Sequence, residues 1–244
     1  MGRKRADLLL VERGLFDSRA KARAAIEAGR VLAGGTAVRR PSDILDELTE
    51  ITAEAAHPWV GRAAIKLAHA LALWPIPVEG RSVLDVGAST GGFTEVCLSR
   101  GAARVCAVDV GRGQLHSKVA DDPRVLSLEA TDARDLDGPR LGFAPDLIVC
   151  DVSFISLTKA LPRALALAGP AADLVALVKP QFEVGPALVG KGGVVKDEIA
   201  RARALDQAKA FLTTSGWEVR ADAPSPITGG DGNVEFLVWA TKPA

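Results

Sequence analysis

Short apolar runs rich in β-branched residues alternate with helical segments over most of this chain, and this alternation constrains its fold most strongly. The runs lie at residues 82–86, 104–109, 124–128, 146–151 and 174–179. Such alternation is typical of a doubly wound parallel sheet with helices on both faces. Two further strands are predicted near residues 217–221 and 234–240, with no helical pattern between them. The last strand should therefore run antiparallel, in a Rossmann-like, seven-stranded α/β sheet.

The N-terminal part of the chain has a different pattern and is predicted to fold as a small α+β domain. Asp17 or Ser18 can cap a helix, and the turn residues Gly34 and Gly35 between short apolar runs predict a hairpin. A further short strand is predicted near residues 48–52. A segment without a clear period, which contains a proline, follows. The predicted division is residues 1–52 for the small domain, 53–60 for the linker and 61–244 for the α/β domain.

Basic side chains are concentrated in the first 40 residues, although the formal net charge of the chain is zero. This stretch holds ten basic and four acidic side chains, a local charge of +6. The excess predicts an anionic partner such as a nucleic acid, and a solvated helix face is the alternative interpretation.

The remaining composition favours an intracellular, cytoplasmic protein with no membrane anchor. No uninterrupted apolar run reaches the length of about 18 residues that a membrane-spanning helix needs. Cys97, Cys106 and Cys150 are odd in number, lack a C-x-x-C pair and lie in apolar stretches. They are therefore interpreted as small buried side chains in a reducing compartment, and no metal site is predicted.

A glycine-rich turn after the first strand of the α/β domain is the most informative motif. Residues 83–94 read VLDVGASTGGFT and join a buried strand to a helix. A tight turn explains one glycine, but not Gly87, Gly91 and Gly92 together with Asp85. Such a turn lets the backbone approach a ligand at a helix N-terminus, and it matches neither usual nucleotide-phosphate fingerprint. The predicted ligand contacts are Asp85, Gly87, Ala88, Ser89, Thr90, Gly91, Gly92 and Phe93.

Two acidic residues at the ends of the next strands extend this candidate site. Asp109, followed by Val110, can accept hydrogen bonds from a ribose diol. Asp132, followed by Ala133, can accept from an adenine amino group. Each acid alone could equally be a helix cap or a turn former. Together they predict a pocket for an adenosyl compound beside the topological switch point of the sheet.

Three further ionisable residues are predicted to converge at the same edge of the sheet. Asp151 and Lys179 end the fourth and fifth strands, and Glu235 begins the antiparallel last strand. Lys179 should then lie within reach of both carboxylates. The arrangement indicates acid–base chemistry, and a structural ion-pair network is the alternative.

At this point the sequence resembles a known family. Residues 83–94, 151–157, 178–185 and 192–195 resemble motifs of the TlyA (hemolysin A) family of ribosomal RNA methyltransferases, and the resemblance covers nearly the whole chain. The catalytic part resembles the FtsJ/RrmJ type. The resemblance implies a Rossmann-like methyltransferase fold, S-adenosyl-L-methionine as cofactor, and methyl transfer to a ribose 2′-hydroxyl, of cytidine by family resemblance.

The family's K-D-K-E tetrad falls on Lys66, Asp151, Lys179 and Glu235. From spacing alone, Lys66 would be interpreted as a solvated helix lysine. A 2′-hydroxyl is a poor nucleophile, and a desolvated lysine held between carboxylates can serve as its general base, a role we predict for Lys179. A pore-forming haemolysin and an RNA-binding protein without activity are the rival hypotheses.

The N-terminal part resembles an S4 RNA-binding domain in residues 5–9, 14–15 and 18–22. The resemblance implies ribosomal RNA, or a ribosomal subunit, as the partner. The predicted RNA contacts are Arg3, Lys4, Arg5, Ser18, Arg19, Lys21, Arg23, Arg39 and Arg40. Two departures from the family pattern are Gly61-Arg62-Ala63-Ala64 before the first tetrad lysine and Asp132 where many relatives have Asn.

Overall fold

The computed structural model describes residues 2–244, which divide into two compact units. The first unit ends at Pro58, and the second comprises Trp59–Ala244. The division falls within the segment 53–60, although Ala53 is the last residue of a strand in the first unit. Within the described residues, no helix has both the length and the apolar character needed to cross a membrane.

The first unit combines two helices with two small sheets. Its elements are β1 (Arg3–Arg5), α1 (Ala6–Glu12), α2 (Arg19–Glu27), β2 (Val31–Ala33), β3 (Thr36–Ala37), β4 (Ile44–Asp46) and β5 (Ile51–Ala53). β1 pairs antiparallel with β4, and β2 lies between β3 and β5. The Ser18 hydroxyl caps α2 by accepting a hydrogen bond from the backbone N–H of Lys21, 3.3 Å away. The cap and the hairpin agree with the prediction.

The predicted strand at residues 48–52 is displaced. Leu48 is exposed in a turn, and the strand begins at Ile51. The β1–β4 pair was not predicted, because the charged sequence of β1 has no apolar period.

The second unit is an α/β domain around one seven-stranded sheet. Its strands are β6 (Ser82–Val86), β7 (Arg104–Val108), β8 (Val125–Leu128), β9 (Leu147–Cys150), β10 (Asp173–Val178), β11 (Glu218–Pro224) and β12 (Phe236–Thr241). They are ordered β11-β12-β10-β9-β6-β7-β8. β12 runs antiparallel to β10 and β11, and the pairs among β6 to β10 are parallel. The predicted fold class is confirmed.

Helices cover both faces of this sheet. They are α3 (Ala64–Leu73), α4 (Gly92–Ser99), α5 (Ser117–Ala120), α6 (Gly138–Leu141), α7 (Leu157–Ala160), α8 (Pro162–Leu167), α9 (Pro180–Glu183) and α10 (Glu198–Thr214), with 3-10 turns at Ala133–Asp135, Pro186–Leu188 and Lys191–Gly193. α3 and α4 pack on one face, and α7, α8 and α10 pack on the other. Every residue of β9 and β10 is buried, which explains why both are apolar throughout except for Asp173, which begins β10 and pairs with Arg81.

Strand direction fixes where functional side chains can meet. The parallel strands β6 to β10 all end at one edge of the sheet. Phe236, which begins β12, pairs with Val178, which ends β10, so the residues before β12 lie at that same edge. Cys97, Cys106 and Cys150 are buried free thiols in the core, as predicted.

Candidate active site

A cavity of about 620 Å³ opens at the carboxyl ends of the strands. Its size is in the usual range for small-molecule sites. Among the predicted ligand contacts, it is lined by Gly87, Ser89, Asp109, Val110, Asp132 and Ala133. It is also lined by residues that we did not predict, including Gly111, Gln114, Arg134 and Ser153. The switch point between β6 and β9 lies beside it, as expected for a doubly wound sheet.

Six predicted ligand contacts do not line this cavity: Asp85, Ala88, Thr90, Gly91, Gly92 and Phe93. Asp85 is fully buried, and its Oδ2 accepts a hydrogen bond of 2.6 Å from the Thr94 hydroxyl. This burial raises the pKa of Asp85 to about 7. Phe93 is buried in the core. Asp85 and Phe93 therefore support the loop from the core, whereas Thr90 is exposed.

The glycines of the loop are required by close packing. Gly87 and Gly91 both have positive φ angles, of 84° and 90°. A Cβ atom on Gly87 would lie 2.8 Å from the carbonyl oxygen of Asp151. A Cβ atom on Gly91 would lie 2.8 Å from Cδ1 of Leu115. The glycines thus let the loop pack on its neighbours, a reason that differs from the predicted approach of backbone to ligand at Gly91.

Asp109 connects the glycine loop to the segment that follows β7. Its Oδ2 accepts from the backbone N–H of Ser89 at 2.8 Å, and its Oδ1 accepts from that of Gly111 at 2.7 Å. A carboxylate oxygen can accept a second hydrogen bond, so Asp109 can still receive a ligand hydroxyl. Ser89 itself has a positive φ of 47°.

Asp132 is held by a residue of its own turn. Its oxygens accept from Nε and Nη2 of Arg134 at 3.0 and 2.6 Å, and from the Arg134 backbone N–H at 2.9 Å. The Arg134 guanidinium lowers the pKa of Asp132. The cavity therefore offers two side-chain acceptors, Asp109 and Asp132, together with the exposed apolar side chain of Val110. This set fits an adenosyl compound, which has a diol, an amino group and an apolar ring face.

Four charged side chains form a chain of ion pairs beside the cavity. Nζ of Lys179 lies 2.6 Å from Oδ1 of Asp151, whose Oδ2 lies 3.7 Å from Nζ of Lys66. The Lys66 ammonium in turn lies 2.6 Å from Oε2 of Glu235. None of the four side chains is more than 10% exposed. Asp151 lines the cavity and thus connects it to the ion-pair chain.

Two details of this cluster differ from the sequence prediction. Lys66 is buried on α3 and does not face solvent. It is Lys66 that pairs with Glu235, whereas Lys179 was expected to do so. The Lys179 ammonium instead donates a hydrogen bond of 2.7 Å to the Ser153 hydroxyl, a partner that sequence reasoning missed. The position of Ser153, two residues after Asp151 in a family motif, was the available signal.

Comparisons with known proteins agree with this geometry. The FtsJ-like methyltransferase model matches residues 59–242, and the S4 domain model matches residues 4–51. The chain belongs to the FtsJ-like methyltransferase family. The resemblance and the domain types predicted from the motifs are confirmed.

Relatives of this methyltransferase span nearly its whole length. One from Mycobacterium tuberculosis, named 16S/23S rRNA (cytidine-2′-O)-methyltransferase TlyA, is 46% identical over 97% of this chain and 89% of its own. Another from Brachyspira hyodysenteriae, named Hemolysin A, is 38% identical over 96% and 98%. A solved structure from Streptococcus thermophilus, provisionally named a hemolysin, superposes with a TM-score of 0.79 and 38% identity, covering 100% of this chain and 90% of the other.

The residues predicted to contact RNA, eight basic side chains and Ser18, fall into two groups in the S4 domain. The first group is engaged within the domain: Lys4 with Glu12 and Glu47, Arg5 and Arg19 with Asp7, Lys21 with Asp17, and Ser18 as the cap of α2. The second group is exposed and has no ion pair to any residue from 2 to 244, and it consists of Arg3, Arg23, Arg39 and Arg40. Sequence reasoning did not distinguish the two groups.

Proposed function

We propose that this chain transfers a methyl group from S-adenosylmethionine to the ribose 2′-hydroxyl of a cytidine in ribosomal RNA. The observation that carries the proposal is the buried ion-pair chain of Lys66, Asp151, Lys179 and Glu235, which borders an adenosyl-sized cavity through Asp151. The names of the relatives support the reaction and the RNA substrate. The partner is a ribosomal subunit, and the site of action is the cytoplasm.

Different residues of the cavity would bind different parts of the cofactor. Asp109 would accept hydrogen bonds from the ribose hydroxyls, Asp132 would accept one from the adenine amino group, and Val110 would contact the adenine ring. The backbone at Gly87 and Ser89 approaches the rest of the molecule. When bound, S-adenosylmethionine supplies an electrophilic methyl group on a positively charged sulfonium.

Lys179 acts on the ribose hydroxyl. In its uncharged form, its Nζ accepts the hydroxyl proton while the oxygen forms its bond to the methyl carbon and the carbon–sulfur bond breaks. The 2.6 Å contact to Asp151 and the 2.7 Å bond to Ser153 fix the position of Nζ. Lys66 and Glu235 complete an alternation of charge, which makes the burial of four ionic groups tolerable.

The proposal is tested by methyl transfer to purified substrates. The full-length protein is incubated with methyl-labelled S-adenosylmethionine and with separated small and large ribosomal subunits from a strain that lacks this protein. We expect label in ribosomal RNA, and nucleotide mapping should place it on a cytidine 2′-oxygen. Label on a base would contradict the proposed chemistry. Cofactor binding and RNA binding without transfer would instead favour the inactive RNA-binding protein.

A further inference from the structure

The segment that follows β7 forms one wall of the cavity, and its first residues have few buried apolar side chains. Val110, Gly111 and Gln114 line the cavity. The Val110 side chain is 70% exposed, and Gly113 has a φ of 62°. Residues 110–114 therefore have no buried apolar side chain that could order them by packing, and Leu115 is the first residue of the segment that packs against the core.

The carboxylate of Glu129 accepts hydrogen bonds from three consecutive backbone N–H groups of this wall. Oε1 of Glu129 accepts from the N–H groups of Gln114 at 2.7 Å and Leu115 at 3.0 Å, and its Oε2 accepts from that of Gly113 at 2.9 Å. These three bonds lower the pKa of Glu129. The carboxylate is therefore ionised near neutral pH and accepts three consecutive charge-assisted hydrogen bonds.

The backbone around Glu129 reinforces this connection. The N–H of Ala130 donates to the carbonyl of Gly111 at 2.8 Å, and that of Thr131 donates to the carbonyl of Asp109 at 2.9 Å. Three residues after Glu129 the chain reaches Asp132, which also lines the cavity. Two walls of the cavity are thus joined through residues 129–131.

We infer that Glu129 is a positioning residue of the cofactor cavity. It does not line the cavity and acts through the backbone of residues 113–115, which places Gln114 and the neighbouring Gly111. This inference rests on the proposed function, because it takes the cavity to be the S-adenosylmethionine site. With Glu129 in place, the wall is ordered before the ligand arrives, and little conformational entropy is lost on binding.

The consequence for affinity follows from the population of the ordered wall. If only a fraction of molecules has the wall in its binding conformation, the apparent Kd rises by the inverse of that fraction. Glu129→Gln keeps one acceptor oxygen but turns an amide N–H₂ toward backbone donors. The loss of one or two charge-assisted bonds should lower that population by roughly ten- to a hundredfold.

The first experiment measures the binding of S-adenosylhomocysteine by calorimetry to full-length wild type, Glu129→Gln and a control, Glu218→Gln. Glu218 pairs with Arg220 on the outer strand β11, away from the cavity. We expect Kd to rise roughly tenfold or more in Glu129→Gln only. KM for S-adenosylmethionine should rise likewise, while kcat at saturation and RNA affinity stay near wild type. Unchanged Kd in a folded Glu129→Gln protein would overturn the inference.

The second experiment measures hydrogen exchange of the wall, and its wild-type part is informative even if the variant does not fold. In the ligand-free wild type, the amides of Gly113, Gln114 and Leu115 should be protected from hydrogen exchange, and in Glu129→Gln their exchange should speed up while that of core amides stays constant. Exchange of these wild-type amides at the rate of an open loop would overturn the inference. If the wild type bound no S-adenosylhomocysteine, both the proposed function and the inference would be overturned. If the wild type bound it and Glu129→Gln bound it with the same Kd, only the inference would be overturned.

Discussion

At the scale of single residues, the ion-pair chain dictates which substitutions are informative. Lys179, Asp151, Lys66 and Glu235 alternate in sign and are almost completely buried. Deleting one charge would leave a neighbour buried without its partner, which typically costs about 3 to 5 kcal/mol of stability. A loss of activity in such a variant would not separate chemistry from folding. Substitutions that keep the charge avoid this ambiguity.

Lys179→Arg is therefore the sharpest probe of the proposed base. The guanidinium keeps a positive charge beside Asp151 but does not give up its proton in proteins. We expect the rate of methyl transfer to fall by about 10² to 10⁴-fold, the usual contribution of a positioned acid–base group. Cofactor and RNA affinities should stay within a few fold, as measured by calorimetry and filter binding.

A matched control for this variant is Lys209→Arg, because Lys209 on α10 pairs with Asp222 on β11 at 2.6 Å, and neither residue lines the cavity. It should leave the rate unchanged. Near-normal turnover of Lys179→Arg would contradict the role of general base and would make Lys179 an electrostatic clamp.

Asp85 gives a prediction about stability, because burial raises its pKa to about 7. In the unfolded chain an aspartate titrates near 4, so between about pH 4 and 7 the folded state holds a proton that the unfolded state has lost. Stability should therefore fall as pH rises through this window and stay reduced above it. Asp85→Asn removes this term, which is at most about 4 kcal/mol. Thermal melting at pH 5 and pH 8 should show a smaller loss for Asp85→Asn than for wild type.

Asp7 supplies the control with the opposite sign. Its hydrogen bonds from Arg5 lower the pKa of Asp7 to about 2, so its contribution to stability is complete above about pH 4 and is lost as pH falls toward 2. Asp7→Asn should consequently leave the difference between pH 5 and pH 8 as in wild type. An Asp85→Asn protein with the wild-type pH dependence would contradict the buried, protonated state of Asp85.

At the scale of secondary structure, burial decides what the sequence could predict. The strands β6 to β10 were predicted within one or two residues. For β6, β7, β9 and β10 the reason is that a strand buried on both faces has a nearly continuous apolar sequence, whereas the edge strand β8 is only partly buried. β1 was missed because Arg3–Arg5 is entirely polar. The glycine loop was located, but contacts to the cavity could not be separated from packing contacts. That distinction depends on which neighbour each Cβ would meet, and for Gly87 it is Asp151, which is 64 residues away.

The same dependence on neighbours that are distant in sequence explains why spacing alone did not identify Lys66 as part of the site. Its pattern on α3 is that of an ordinary helix lysine, and only its partner Glu235, which is 169 residues later, makes it part of the site. Strand direction alone brought Asp151, Lys179 and Glu235 to one edge. It could not decide which lysine pairs with which carboxylate, because that depends on where α3 packs.

Among the elements of the S4 domain, ion pairing predicts unequal contributions to RNA binding. Arg39 and Arg40 are exposed, and no ion pair holds their side chains within the described residues, whereas Lys4 and Lys21 each pair with carboxylates. A basic side chain that must break an ion pair before it binds a phosphate gains less free energy from the phosphate contact. We expect Arg39→Ala with Arg40→Ala to weaken RNA binding more than Lys4→Ala with Lys21→Ala does.

The salt dependence of binding checks this expectation. The slope of log K against log salt should fall by about 0.7 for each phosphate that the variant no longer neutralises. Both double variants remove two charges, so each is the control for the other. Equal slopes in the two would show that internal pairing does not govern how these side chains bind phosphate.

At the scale of the whole molecule, each unit has a hydrophobic core of its own. Leu10, Ile26 and Val31 belong to the core of the first unit, and the sheet of the second unit is covered on both faces by its own helices. The ion-pair chain and the cavity lie wholly within residues 59–244. Separate cores predict that the catalytic unit keeps its structure and its cofactor site when the S4 domain is removed.

Removal of residues 1–58 tests this division. The truncated protein begins at Trp59 and keeps the bond of 2.6 Å from the Val60 N–H to the buried Glu95, which holds the segment before α3. We expect its affinity for S-adenosylhomocysteine to stay within a few fold of wild type by calorimetry. Its RNA affinity should fall and its salt slope should flatten, because the basic side chains of the +6 segment no longer reach phosphates. An unaltered salt slope would place the RNA-binding surface on the catalytic unit, and a loss of cofactor affinity would show that the two units do not fold independently.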